Sequence, residues 1–404
     1  MRNAKTRLLP AVAAVAVAVL LSGPVAPLLG EQAKPAARPA AAPYYPGPGD
    51  DWQRRTPEDV GMSSRALDDL ETWVKANETD QPIDLRLGML LSAEPYNEVT
   101  GPTKDRGTPN GLVLRHGYIV KEIGDTKRVD MTFSATKTYL STTAGLAVDR
   151  GLIRSVNDRV AEYVHDGGFD SPHNAKITWH QLLNQTSEWE GTIWGKPDWA
   201  DRPTDENEKR VLVEPGTRWK YNDARVNRLA LSLLRVWRRP LPQVLREYVM
   251  DPIDASTTWE WHGYDDSWVT IDGQRMQSVA GGAHWGGGMW ISSRDHARFG
   301  YMFLRGGKWR DRQLISPKWI TMASTPTPQQ PTYGYMNWFL NTNRKLWPSA
   351  PERSFAFIGG NVNMVWVSPE HDLVVVIRWI KNGDQDEFLK RVMAAIKDTE
   401  RSSR

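Results

Sequence analysis

In "DMTFSATKTYL" a serine at 134 and a lysine at 137 stand three positions apart. A serine hydroxyl is a poor nucleophile until a neighbouring group takes its proton. On a helix, a side chain three residues on projects from nearly the same face, which puts Lys137 within reach of the Ser134 oxygen. The first N–H groups of a helix are unpaired and favour negative charge, so Ser134 at such a place offers a nucleophile and one donor of an oxyanion hole. By itself the pair is weak: S-x-x-K is expected by chance on the order of once in a chain this long, and an N-capping serine beside a solvated lysine is the plain alternative. A second stretch, "VEPGTRWKYNDARVN", places Tyr221 between a Pro-Gly turn and a helix, 87 positions after Ser134. A tyrosine held beside a lysine can lose its proton and serve as the base.

The elements that must position these groups are legible in outline. Residues 110 to 125, "NGLVLRHGYIVKEIGD", are two β-rich runs around His116-Gly117, the signature of a hairpin. From Ser134, Leu140, Ala144 and Ala147 recur at helical spacing until Gly151. "RVNRLALSLLRVWRRP" reads as a second helix ended by Pro240. Residues 363 to 380, "NMVWVSPEHDLVVVIRWI", form another hairpin, and "DQDEFLKRVMAAIKD" is an amphipathic helix with Phe388, Val392, Ala395 and Ile396 on one face. Strands at both ends with helices between them predict an α+β fold: an antiparallel sheet built from both chain ends, flanked by helices, with a mainly helical lobe inserted at about 136–284.

With these motifs in view, the chain resembles the serine β-lactamase and penicillin-recognising hydrolases, especially the class C β-lactamases and related esterases and amide hydrolases. Their pattern is S-x-x-K, then Y-x-N roughly 80 to 100 residues later, then a H/K-x-G strand motif. "DVGMSSRALDDL", "LIRSVNDRVAEYV", "ITWHQLLNQTSEW" and "GGGMWISSRDHARFGYMFLRGGKWRDRQLISPKWI" are similar to that family in order and spacing over most of the chain from Trp52 on. The resemblance implies a β-lactamase/transpeptidase-like fold and an acyl-enzyme on Ser134, with Lys137 and Tyr221 as proton-transfer partners. Two departures bear on substrate. Asp223 stands where the family has asparagine, and a carboxylate, which only accepts hydrogen bonds, would pair with Lys137. Counted back from Pro369, the third motif falls on Phe357-Ile358-Gly359, with Phe357 in place of the usual cation that binds a substrate carboxylate. Gly359 and Gly360 allow close backbone approach, and the Gly360 N–H is the expected second oxyanion donor.

The chain has 404 residues, 40% hydrophobic, with 51 basic against 48 acidic side chains, a balance that gives nucleic-acid binding no support. It has no cysteine, which removes disulfides, thiolate catalysis and cysteine metal sites. No serine lies in a G-x-S-x-G elbow, no glycine pattern reads as a phosphate loop, and no His/Asp/Glu spacing reads as a metal site, so neither cofactor nor metal is expected. The 19 tryptophans include Trp189, Trp194, Trp199, Trp259, Trp261, Trp285 and Trp290, a set expected to wall an aromatic cleft. Trp189, Trp194, Asp223, His284, Phe357 and Gly359 are the candidate substrate contacts, with Arg225 and Asn227 as candidate supports of Tyr221. Residues 1–30 carry a basic start and the apolar run "LLPAVAAVAVAVLL", an export signal too short to span a bilayer; residues 31–50 read as a Pro/Ala-rich linker, and 51–404 as the catalytic domain. The expected protein is an exported, periplasmic or secreted serine hydrolase of small ester or amide substrates that meets a membrane only through its signal. A β-lactamase or D-alanyl carboxypeptidase, and a catalytically lapsed penicillin-binding or sensing protein, are the competing readings.

Overall fold

The computed structural model describes residues 43–91, 96–201 and 211–397; the expected signal at 1–30 and linker residues 31–42 lie outside them. The strands of the two larger sheets are β1 (Asn110–Arg115), β2 (Tyr118–Ile123), β3 (Val129–Met131), β4 (Glu260–Ile271), β5 (Gln274–Val279), β6 (Gly288–Ser292), β7 (Tyr333–Gly334), β8 (Asn337–Phe339), β9 (Phe355–Gly359), β10 (Asn363–Ser368) and β11 (Leu373–Arg378). The main helices are α1 (Ser64–Ala76), α2 (Thr136–Asp149), α3 (Asp223–Trp237), α4 (Ser293–Leu304) and α5 (Gln385–Ala394).

Seven strands form one sheet in the order β7-β8-β9-β10-β11-β1-β2. Both predicted hairpins are present, and they are joined where β1 pairs antiparallel with β11, Asn110 opposite Arg378 and Leu114 opposite Val374. The sheet is thus made from both chain ends, as expected. The run "LVVVIR" is apolar throughout because β11 is covered on both faces. Leu373, Val375 and Ile377 meet Leu67, Leu70, Phe388 and Val392 of α1 and α5. Val374 and Val376 face the opposite core with Phe299 and Phe303 of α4. Burial of these large side chains is the main favourable term holding the layers together.

The inserted region is mainly helical, as expected, and it carries strands as well. β4 and β5 are paired strands, and with β3 and β6 they make a second sheet in the order β3-β6-β4-β5. Their turn, Asp272-Gly273, has φ of 52° and 76°. A two-residue hairpin turn needs two such left-handed residues, and Asp-Gly supplies them at little strain. The boundary at 51 also shifts. Tyr44 stacks on Tyr118 at 4.4 Å, the Tyr301 hydroxyl donates to the Tyr44 carbonyl at 2.7 Å, and Arg298 donates to the carbonyls of Gly47 and Gly49. Residues 43–50 are therefore packed and hydrogen-bonded parts of the folded unit, because two tyrosines give this part of the spacer apolar surface to bury.

Candidate active site

Ser134 lies in a short 3-10 turn, Phe133–Ala135, that leads directly into α2. From Thr136 to Ala147 every residue of α2 is buried, so the helix runs through the interior and its start is rigidly placed. Lys137, 1% exposed, donates to Ser134 Oγ at 2.7 Å and to Asp223 Oδ1 at 2.8 Å. Its Nζ also sits 4.5 Å from the centre of the Tyr221 ring. Asp223 opens α3, capped by Asn222, whose side chain accepts from the Arg225 N–H at 2.8 Å. The Asp223 N–H donates to Asp201 Oδ2 at 2.7 Å, which fixes the start of the helix on its outer side. The ammonium and carboxylate are buried in direct contact and Lys137 is hydrogen-bonded further to Ser134, an arrangement that helps make a desolvated ion pair tolerable.

Tyr221 hydrogen-bonds Ser134, and its phenol is held well above its ordinary value. Burial is the largest cause, the negative charge of Asp223 adds to it, and the Ser134 hydrogen bond opposes both. The direction of that shift does not favour the phenolate form that the base role expected of Tyr221 requires. A box of Trp219, Tyr333 and Trp338, with ring centres 5.7 to 6.3 Å from that of Tyr221, produces this dry setting.

Two glycine segments close on the nucleophile. A Cβ at Gly282 would lie 1.6 Å from Asp223 Oδ1 and 2.3 Å from Lys137 Nζ, so only glycine fits over the ion pair. Ser134 Oγ donates to the Gly282 carbonyl at 3.3 Å. Asn227 holds this loop by accepting from the Gly281 N–H at 3.0 Å, which gives that residue a positioning role. Across the site, a Cβ at Gly359 would meet the Thr132 carbonyl at 2.0 Å and the Ser134 nitrogen at 3.0 Å, so the end of β9 abuts the serine turn. Gly360 follows and lines the cleft with Met89, Asn97, Phe133, Ser134, Gly282, His284 and Trp285, around about 190 Å³.

Several expected contacts lie elsewhere. Phe357 is fully buried, its ring 5.1 Å from Phe303 and 5.7 Å from Phe299, because strand alternation turns positions 355 and 357 toward α4. It is not among the described residues that line the serine cleft. Trp189 is buried, with its indole donating to the Gly168 carbonyl at 2.7 Å. Trp194 lines an adjoining groove of about 710 Å³ with Asn97 and Lys196. Asp223 is sealed beneath Gly282 and serves Lys137 instead of the cleft. His284 does line the cleft; its Nδ1 is 3.7 Å from Asp223 Oδ2 and its ring packs edge-on against Trp285. Arg225 pairs with buried Glu188 at 3.1 Å, which fixes the loop before Trp189 to α3. Met89, Asn97 and Gly282 went unforeseen; only Gly282 had a signal, within "GGAHWGGG".

A curated protein of Alkalihalophilus pseudofirmus, itself uncharacterized, is 23% identical over 281 residues, covering 63% of this chain and 74% of its own. Among solved structures, EstCE1, described as a hydrolase with promiscuous acyltransferase activity, superposes with a TM-score of 0.55 at 14% identity, over 82% of this chain and 99% of its own. A penicillin-binding protein homologue from Caulobacter crescentus gives 0.52 at 15% identity, over 71% and 91%. At these identities the likeness is one of fold. The beta-lactamase family model matches residues 125–397, which span the serine turn, the Tyr221–Asp223 segment and the β9 glycines, and the chain belongs to that family.

Proposed function

We propose that the protein is an exported serine hydrolase that cleaves an uncharged ester or amide through an acyl-enzyme on Ser134. The observation that carries this reading is Lys137 Nζ placed 2.7 Å from Ser134 Oγ and 2.8 Å from Asp223 Oδ1 in a buried site beside an open cleft. As Ser134 attacks the carbonyl carbon, its proton passes to Lys137 while Lys137 passes one to Asp223, so the lysine stays an ammonium and the charges balance. The oxyanion is held by the N–H groups of Ser134 and Gly360. When the carbonyl reforms and the bond to the leaving group breaks, Lys137 protonates that group and Asp223 returns its proton to Lys137. Tyr221 stays protonated and holds the serine oxygen by its hydrogen bond. Water then repeats the sequence and releases the acid. Among the described residues, no lysine or arginine lines the serine cleft, which supports a substrate without a carboxylate beside the reacting carbonyl.

A fluorophosphonate probe should modify Ser134, as located by peptide mass spectrometry, and Ser134→Ala should abolish both labelling and hydrolysis of aryl esters. Full activity in that variant would eliminate the reading. A lasting penicilloyl adduct on Ser134, with no ester or amide turnover, would favour the penicillin-binding alternative.

A further inference from the structure

Of the seven strongly exposed large apolar side chains among the described residues, four fall within nine positions: Ile83, Leu87, Leu90 and Leu91, at 61, 47, 44 and 72% exposure. They ride on and beside the short helix Leu85–Leu90, whose other face, Leu85 and Met89, packs with Met131, Phe133 and Trp379. Exposed leucines concentrated in this way mark a contact surface more often than scattered ones do. Beneath them runs a groove of about 580 Å³ lined by Pro82, Leu85, Met89, Leu91 and Phe133, with Asp80, Gln81 and Asn361 also on its wall. Met89 and Phe133 belong both to this groove and to the cleft around Ser134, so the two spaces share an apolar wall. Phe133 precedes the nucleophile and has φ of 47°, a left-handed conformation that a bulky residue adopts only under constraint. Among the described residues, neither space has a lysine or arginine in its lining. A second groove, which shares Asn97 with the serine cleft, carries Arg86, Glu98, Lys196, Asp265 and Asp266. The two grooves thus differ in charge among the described residues: Asp80 is the single charged side chain on the wall of the first, against five in the second.

We infer that the groove under Leu91 binds the hydrophobic acyl chain of the substrate, and that the second groove receives a polar leaving group. This rests on the serine-hydrolase reading and names its substrate class: neutral esters or amides of aliphatic acids. The path begins at Phe133, next to Ser134, and the chain of an acyl group bonded to that serine can follow Phe133, Met89, Leu85 and Leu91 along it. Each methylene fully buried there raises kcat/KM by about fourfold.

The test uses alkyl fluorophosphonates of graded chain length on the full chain, with the rate of Ser134 labelling as readout. The long-to-short ratio, eight carbons against two, is expected to reach about tenfold or more in the parent protein and to fall toward one in Leu91→Asp and in Met89→Asn. Leu91 is so exposed that its replacement leaves the core intact, and an unchanged melting temperature confirms this. A flat chain-length series in the parent, or a ratio retained in both variants, would overturn the inference while labelling of Ser134 left the hydrolase reading standing. Absence of labelling in the parent would remove both. A concentration-dependent dimer abolished by Leu87→Asp, with no chain-length preference, would assign the leucine rim to a second copy of the chain and also overturn it.

Discussion

Asp223 is the residue at which this chain departs most consequentially from its family's motif. An amide at that position can steady Lys137 but cannot take a proton from it, whereas a carboxylate 2.8 Å away can. In Asp223→Asn the proton leaving Ser134 loses the acceptor to which Lys137 would relay it. The expected result is a loss of about 100-fold in kcat for aryl-ester hydrolysis at unchanged KM, read from steady-state kinetics. An unchanged kcat would instead make Asp223 a structural support alone. Serine, lysine and tyrosine were legible because two of them lie one helical turn apart and the third precedes a helix start. The role of Phe357 was misread because counting back from Pro369 gives a position along β9 but says nothing of which face meets α4. Met89 and Asn97 had no signal at all: they reach the cleft through tertiary packing of a segment that precedes the first strand.

Among elements, the two hairpins depend on each other through their turns. Asp372, with φ of 48° at the end of the 369–372 turn, accepts from His116 Nδ1 at 2.9 Å in the turn between β1 and β2, and also binds Arg305 at the end of α4. Burial raises the Asp372 carboxyl, but the hydrogen bond from His116 and the charge of Arg305 outweigh it, and the group lies below the usual carboxylate range. A carboxyl depressed in the folded state stabilises the fold above its unfolded value of about 3.9, and that contribution is lost as pH falls through the lower folded value. Asp372→Asn should therefore cost about 1 kcal/mol at pH 7 once solvent screening is allowed for, and the gap to the parent should narrow below about pH 4. Urea unfolding at the two pH values measures it; an equal gap at both would assign the loss to the turn conformation instead. The hairpins themselves were readable from β-branched runs around turn residues. The β4–β5 pair carried an equally good Asp-Gly signal, but its strands, "EWHGYDDSWVTI" and "QRMQSV", are too polar and irregular to announce a sheet.

For the whole molecule, the point where the folded unit begins is set by aromatic and hydrogen-bonded contacts that composition alone hides. Residues 43–50 belong to a Pro/Ala-rich stretch, yet Tyr44 stacks on Tyr118, Tyr45 packs against Tyr301 and Trp309, and Asp50 pairs with Lys127 and Arg294. These contacts bridge β2, α4 and the loop beyond it. The ion pairs of Asp50 are exposed and weak, whereas the two rings bury area and order the backbone that Tyr301 and Arg298 bind. A chain begun at residue 43 should melt at the temperature of the longer protein and label at Ser134 at the same rate. One begun at residue 51 removes both tyrosines and uncovers Tyr301 and Trp309; its melting temperature should fall by about 5 °C or more. Equal melting of the two truncated forms would show that this segment is an ornament on the surface, and the boundary would return to Trp52, whose indole donates to the Gly117 carbonyl at 2.8 Å.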